Sequence, residues 1–135
     1  MVEVPAYGGT LTEGIIGTPR FINPVLAASD ADRDLVALTH SGLLRPDNRG
    51  RLTNDMAEKY DISEDGLTYT FTIKPKLFWQ DGAPVTSNDI IFTIEKINDP
   101  AMKSPKRAGW EGVSAEKIDE KTIKFTLKKP YAPFL

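Results

Sequence analysis

Residues 67–92, with the sequence LTYTFTIKPKLFWQDGAPVTSNDIIF, decide which fold class the chain adopts. Apolar and polar side chains alternate through residues 67–74, and this period of two predicts a β-strand with one covered and one wet face. In residues 87–99 the isoleucines Ile90, Ile94 and Ile97 recur at helical spacing, which predicts an amphipathic helix. A strand followed by a helix with one apolar stripe predicts a sheet that the helix covers.

The link between these two elements contains several residues that favour turns and helix starts. Gly82 follows an aspartate and can take a positive φ, so it predicts a turn. Pro84 favours an extended approach to the helix. Thr86 and Asp89 are three residues apart and resemble a capping box, which predicts that the helix starts there.

The aromatic pair Phe78 and Trp79 precedes that turn. Buried aromatic side chains usually belong to the core. We therefore expect both rings to fill the space between the sheet and the helix.

The same criteria assign the rest of the chain. The expected elements are a β-leaning stretch at residues 10–17, a helix from residue 31 to about 42, a short strand at 43–45 before a turn at 46–50, one or two helical turns at 55–60, and a second alternating strand at 121–128. Strands grouped around one or two helices predict an α+β fold with a mostly antiparallel sheet.

Composition excludes several classes of function. The chain has 135 residues, a net charge of −2 and no cysteine. No basic excess exists to neutralise phosphates, so a nucleic-acid or anionic-membrane binder is not expected. His40 is the only histidine and lies near the predicted end of a helix, so a histidine-rich metal site is not expected, and the absence of cysteine excludes a thiol nucleophile and Cys metal ligands. We expect no cofactor, no metal and no enzymatic activity, and the absence of a long apolar stretch predicts no transmembrane helix.

Several segments together resemble the family 5 extracellular solute-binding proteins, the dipeptide, oligopeptide and nickel receptors of ABC importers. The similarity is carried by the order and spacing of these segments: GGTL at 8–11, FINP at 21–24, GLL at 42–44 with Gly50, DMAEKY at 55–60, SEDGLTYTF at 63–71, the stretch 77–92, TIKFTL at 122–127 and PYAPFL at 130–135. The stretch 77–92 departs from the family pattern at Ser87 and Asn88.

The resemblance implies a two-lobed periplasmic-binding-protein fold of type II, cluster C, with the ligand enclosed between the lobes. The chain is then expected to be an N-terminal fragment. Residues 1–30 would be an extended segment and strand of the main part of lobe I, and residues 31–135 its small α+β subdomain. The family's ligand-facing run matches Ala28, Ser29 and Asp30. Trp110 follows a polar stretch at residues 103–109, which places it either near the lobe interface or at a rim or core position.

The resemblance also implies a role and a location. The parent would capture peptides or similar small solutes for an ABC permease, in the periplasm or outside the cell, secreted or anchored through a removed lipoprotein signal. The sequence shows no secretory leader. Taken without the resemblance, this feature suits either a cytoplasmic protein or a chain whose leader has been removed. The fragment alone is expected to bind little ligand. An unpaired strand at 10–17 is expected either to favour self-association or to leave the N-terminus mobile.

Two other classes remain as alternatives. A stand-alone interaction module would hold a protein partner at an exposed sheet edge. An acid/base hydrolase would need a carboxylate pair in a cleft, for which Glu64–Asp65 and Asp119–Glu120 are the available neighbours.

Overall fold

The computed structural model describes residues 8–135, so the first seven residues of the expected 1–30 segment lie outside the described part. In chain order the elements are α1 (Asp30–Thr39), β1 (Leu44–Pro46), β2 (Leu52–Asn54), β3 (Ala57–Ile62), β4 (Thr68–Ile73), α2 (Ser87–Asn98), α3 (Arg107–Trp110), β5 (Ser114–Lys117) and β6 (Thr122–Thr126). Short 3₁₀ turns follow α2 at Pro100–Met102 and close the chain at Ala132–Phe134. The predicted α+β class with antiparallel sheets is confirmed.

The main sheet has four antiparallel strands in the order β3-β4-β6-β5. Strand β6, the last in sequence, lies between β4 and β5, with Thr68 opposite Thr126 and Thr72 opposite Thr122. A separate hairpin pairs β1 with β2. The four-stranded sheet is therefore complete only when β6, the last strand in sequence, pairs with both β4 and β5.

One face of this sheet and one stripe of α2 form the core. The alternation predicted for β4 and β6 is present, because their apolar side chains are buried and their threonines are not. The buried apolar residues from these strands and the helix are Tyr69, Phe71, Ile73, Ile90, Ile94, Ile97, Ile123 and Phe125. The two predicted strands and the covering helix are confirmed, and their burial is the apolar driving force of the fold.

Helix α2 is fixed at its first turn. The carboxylate of Asp89 accepts hydrogen bonds from the backbone N–H of Thr86 at 2.7 Å and from its hydroxyl at 2.9 Å. The buried Ser87 hydroxyl donates to the carbonyl of Asp119 at 2.6 Å, which ties the helix start to the turn between β5 and β6. These bonds satisfy polar groups that a helix N-terminus otherwise leaves without partners.

The connection from β4 to α2 is a small exposed loop. The predicted turn is present, with Gly82 at a φ of 86° and the N–H of Trp79 donating to the carbonyl of Ala83 at 2.8 Å. The expectation that the aromatic pair fills the core is wrong, because Phe78 is 59% and Trp79 46% exposed. The strand ends at Ile73, so the chain has already left the sheet when it reaches these rings.

Two other expectations also differ from the structure. Residues 55–60 do not form helical turns: strand β3 starts at Ala57, which is fully buried, and the ring of Tyr60 stacks on that of Phe71 with centroids 5.4 Å apart. Pairing with β4 overrides the helical preference of alanine, glutamate and lysine in this segment. Residues 10–17 form no strand in the described part of the chain.

Candidate functional site

The run that leads into α1 begins with a compact turn at Asn23. Its side-chain oxygen accepts from the N–H of Val25 at 2.9 Å, and its carbonyl accepts from the N–H groups of Leu26 and Ala27 at 3.0 Å each. Val25 and Ala27 are buried, whereas the preceding Phe21 is exposed. The Asn-Pro step therefore turns the chain so that alternate residues enter the core before the helix begins.

Asp32, in the first turn of α1, organises this run. One carboxylate oxygen accepts from the N–H groups of Arg20 at 2.6 Å and Phe21 at 3.1 Å. The other accepts from the N–H groups of Ala28 and Ser29 at 3.1 Å each. The residue is only 1% exposed, so one buried carboxylate holds two separate segments of backbone against the helix start.

These bonds favour the charged carboxylate. The N–H groups of Arg20 and Phe21, followed by those of Ser29 and Ala28, hold the pKa of Asp32 far below its usual range, although desolvation opposes them. The carboxylate also lies at the positive end of the α1 dipole. Asp32 is therefore ionised wherever the protein is folded near neutral pH.

The structure places the three expected ligand-facing residues at the N-terminus of α1. The hydroxyl of Ser29 accepts from the N–H of Asp32 at 3.1 Å and caps the helix. Arg33 donates to the carbonyl of Ala28 at 2.8 Å and forms an ion pair with the exposed carboxylate of Asp30. The backbone groups of this run that were expected to meet a peptide are thus largely engaged within the chain.

The role of Asp32 in holding two backbone segments was not predicted from the sequence. A serine followed three residues later by an acid, as in Ser29 and Asp32, is a capping-box pattern, which predicts that a helix begins at this position. The additional bonds from Arg20 and Phe21 come from residues that lie 12 and 11 positions before Asp32 in the sequence, and no local pattern reveals them.

Trp110, the fourth expected site residue, lies at the end of α3 and is half-buried. Its ring packs edge-on against Phe125 and Phe134, with centroids 5.5 and 5.3 Å away. The buried Ser104 hydroxyl donates to the carbonyl of Val25 at 2.6 Å. This bond joins the loop before α3 to the run before α1, so both expected site segments belong to one connected region.

Beside Trp110 lies an open groove with a volume of about 360 Å³. Its lining is aromatic and proline-rich with one cationic residue: Pro105, Lys106, Gly109, Trp110, Tyr131, Pro133 and Phe134. Most of these lining residues are exposed, whereas Trp110 and Phe134 are half-buried. We name this feature the Trp110 groove.

A second, wider groove of about 650 Å³ lies between α2 and the edge strand β5. Its lining includes Ser114 and Ala115 of β5, one of the two edge strands that the alternative hypothesis would use to hold a protein partner. On that edge Glu116 forms an ion pair with Lys124, and Lys117 forms one with Glu120. Charged side chains on a short edge strand oppose the addition of another strand.

Two kinds of feature are absent from residues 8–135. No group of three or more His, Cys, Asp or Glu side chains is arranged to hold a metal ion. No helix there is long and apolar enough to cross a membrane.

Comparison with known proteins identifies the family to which the chain belongs. The sequence model of the bacterial extracellular solute-binding proteins, family 5 Middle, matches residues 51–135. The chain belongs to family 5 of the bacterial extracellular solute-binding proteins. The match contains the four-stranded sheet, α2 and the Trp110 groove, and it confirms the resemblance noted in the sequence.

Individual members of family 5 agree with this. The chain is 32% identical over 97 residues to the glutathione-binding protein GsiB of Escherichia coli O1:K1, which covers 71% of this chain and 19% of GsiB. It is 34% identical to NikZ from Campylobacter jejuni, solved in complex with Ni(L-His), with a TM-score of 0.76 over 84% of this chain and 23% of NikZ.

A third member is the periplasmic oligopeptide-binding protein OppAIV from Borrelia burgdorferi, at 26% identity and a TM-score of 0.80 over 84% of this chain and 26% of OppAIV. The chain thus spans about a fifth to a quarter of the family 5 proteins that it matches.

Proposed function

We propose that this chain is part of the substrate-binding component of an ABC importer that captures peptides or similar small solutes outside the cytoplasm. The observation that carries the proposal is the family 5 match over residues 51–135, which covers the folded sheet and helix rather than an isolated motif. Glutathione, a nickel–histidine complex and oligopeptides appear in the names of its relatives. All three are small and peptide-like or amino-acid-derived, which favours this solute class.

Within the parent protein we place residues 1–30 in the main part of lobe I and residues 31–135 in its small subdomain. In this arrangement Ala28, Ser29, Asp30 and Trp110 face the cleft between the lobes. The Ser104–Val25 hydrogen bond supports this grouping, because it joins the segment of Trp110 to the run before α1. The proposed partners are a small solute and the membrane permease, and the proposed location is periplasmic or extracellular, secreted or lipid-anchored.

A calorimetric titration of a mixed di- to pentapeptide pool tests this function. A two-lobed binding protein desolvates its ligand from both sides when it closes, so most of the affinity needs both lobes. We expect the longer parent protein to bind and this chain to bind at least about a hundredfold more weakly. Glutathione and nickel–histidine, titrated separately, identify the solute if the peptide pool gives no heat.

The matched variants in the parent are Trp110→Ala, expected to weaken binding, and Phe92→Ala, an exposed aromatic on the outer face of α2 that is expected to have no effect. Equal affinity in the chain and the parent would contradict the two-lobe account. If the parent bound neither peptides, nor glutathione, nor nickel–histidine, the proposed function would be contradicted.

We further propose that this chain self-associates through residues 10–17. Leu11 and Ile16 are 88% and 97% exposed, and the segment pairs with no strand of the described sheet. Light scattering after size-exclusion chromatography should show a mass that rises with concentration, and Ile16→Asp should restore the monomer. Leu38→Asp, at an exposed apolar position on α1, is the control and should leave association unchanged. A monomer at all concentrations would refute this idea.

A further inference from the structure

Helix α1 lies outside the hydrophobic core of the chain. That core is built from the four-stranded sheet, α2 and the segments next to them, and among the described residues no side chain of α1 belongs to it. The helix has 10 residues. Helices shorter than about 12–15 residues are marginal in water unless tertiary packing supports one face. A further surface is therefore needed to stabilise α1 along its whole length.

The helix nevertheless carries an apolar stripe. Ala31, Leu35 and Leu38 are spaced by four and three residues, so they follow one another along one face. The ion pair between Asp30 and Arg33 lies on the opposite side of the helix. This division into an apolar and a charged side is typical of a helix that packs against a larger body.

The chain itself covers only the first turn of this stripe. The backbone at Gly17 passes over Ala31, since a Cβ at Gly17 would lie 3.7 Å from that of Ala31, and Ala31 is 3% exposed. The buried carboxylate of Asp32 fixes the same turn through its bonds to the preceding run. Further along, Leu35 is half-buried and Leu38 is 70% exposed. The second half of the stripe is thus helical but uncovered.

The size of the solved relatives indicates what covers it. NikZ and OppAIV share the fold of this chain over 84% of its length, yet the match accounts for only 23% and 26% of those two proteins. Most of each relative therefore lies outside the part that corresponds to this chain. A tethered part of the same polypeptide is present at a high effective concentration, so it can pack on a small apolar surface.

The small area of the stripe argues against a separate partner. A stable complex between separate chains buries roughly 800 Å² on each side. The uncovered part of the stripe consists of Leu38 and the accessible portions of Leu35 and Val36, which is much less than one such interface. Packing within one polypeptide is thus favoured over a second copy or another protein.

We propose that the apolar stripe of α1 is the surface on which the main part of lobe I packs, contributed by residues of the parent that this chain does not contain. Leu38 is the centre of this contact, with Leu35 and Val36 beside it. The inference deepens the proposed function and rests on it for the arrangement of the lobe. Asp32 holds the start of the helix in place, so the stripe is preorganised and little entropy is lost when the contact forms.

Thiol labelling tests the contact, because the natural chain has no cysteine. Leu38→Cys is introduced into this chain and into the parent, and its modification by N-ethylmaleimide is followed by the mass of the peptide that contains position 38. A covered thiol reacts only after a local opening, so we expect the rate in the parent to be at least about tenfold lower than in the chain. Phe92→Cys, at an exposed position on the outer face of α2, is the control and should react equally fast in both.

Hydrogen exchange of the unaltered proteins gives an answer that needs no substitution. The amides of residues 36–39 should exchange at least about tenfold more slowly in the parent than in the chain. Equal thiol reactivity of position 38 in the two proteins, or equal exchange of these amides, would overturn the inference. A position 92 protected as strongly as position 38 would indicate general shielding and would also overturn it.

A second copy of this chain is the competing occupant. It predicts that the reactivity of position 38 in the chain alone falls as the chain concentration rises, and that outcome would overturn the inference as well.

The result is separable from that of the peptide titration. If the parent binds no solute and position 38 is still protected, the solute-binding function fails while the assignment of α1 stands. If the parent binds solute and position 38 reacts equally in both proteins, the function stands and the assignment of α1 fails.

Discussion

Replacing Phe125 by alanine is expected to lower the free energy of unfolding by about 3–5 kcal/mol, the usual cost of deleting a fully buried phenylalanine ring. Phe125 is 1% exposed, lies on the central strand β6, and contacts the rings of Phe71, Trp110 and Phe134 at centroid distances of 5.7, 5.5 and 6.0 Å. The resulting cavity would lie under three aromatic rings at once. Because domains of this size are stable by only about 5–15 kcal/mol, this variant should be close to unfolding at 37 °C.

Urea denaturation followed by circular dichroism measures this change as a lower transition midpoint with an unchanged slope. The matched control is Phe92→Ala, which removes the same side chain from a position that is 57% exposed on α2. The control should change the free energy by no more than about 0.5 kcal/mol. Similar losses in the two variants would mean that the core does not lie where the structure places it.

Replacing Asp32 by asparagine is expected to release the run before α1 while leaving the main sheet folded. Asparagine has one acceptor oxygen where aspartate has two, so at least one of the paired N–H sets, Arg20 with Phe21 or Ala28 with Ser29, loses its partner. Hydrogen exchange should report a loss of protection of roughly ten- to a hundredfold at these four amides. Amides in β4 and β6 should keep their protection.

The same substitution predicts a dependence on pH. The folded pKa of Asp32 is lowered, and the unfolded value is about 3.9. Its contribution to stability is therefore complete above the unfolded pKa and is lost as the pH falls toward the folded pKa. The difference in stability between the natural chain and Asp32→Asn should be constant from about pH 7 to pH 5 and should shrink below about pH 4.

The difference in stability between the natural chain and Asp32→Asn isolates the contribution of Asp32 from that of the other carboxylates. Further aspartates whose pKa values are lowered by hydrogen bonds within turns also weaken the fold in acid: Asp47, Asp65 and Asp119. Asp30→Asn is the control, because the Asp30 side chain is 89% exposed and pairs only with Arg33 across one helical turn. A difference between the natural chain and Asp32→Asn that stayed constant down to pH 2 would contradict the hydrogen-bonded, ionised role assigned to this carboxylate.

The elements that the sequence predicted well are those in which the local pattern and the tertiary environment agree. Strands β4 and β6 alternate because one face is buried, and α2 carries its isoleucines on the side that meets the sheet. One element predicted wrongly, β3, has a helical composition but pairs along β4, where the burial of Ala57 and the stacking of Tyr60 outweigh propensity.

The candidate site was less predictable than the fold. Ala28, Ser29 and Asp30 followed from the resemblance alone and Trp110 from the polar stretch before it, and the role of all four residues stays a prediction. Neither the Trp110 groove nor the bonds from Asp32 to Arg20 and Phe21 has a local signature, because each joins segments distant in sequence. The exposure of Phe78 and Trp79 was missed because aromatic side chains were expected in the core, whereas the strand ends at Ile73 and the chain has left the sheet before it reaches them.

The position of β6 in the middle of the sheet has a consequence for synthesis on the ribosome. Strands β3 and β4 can form their hairpin as soon as they emerge, but the other edge of β4 is paired only when β6 is made, after α2, α3 and β5. During that interval the nascent chain presents an unpaired strand of alternating threonines and apolar residues, a pattern prone to intermolecular pairing. A chaperone that protects the emerging chain would thus be needed most between the translation of Ile73 and that of Thr126.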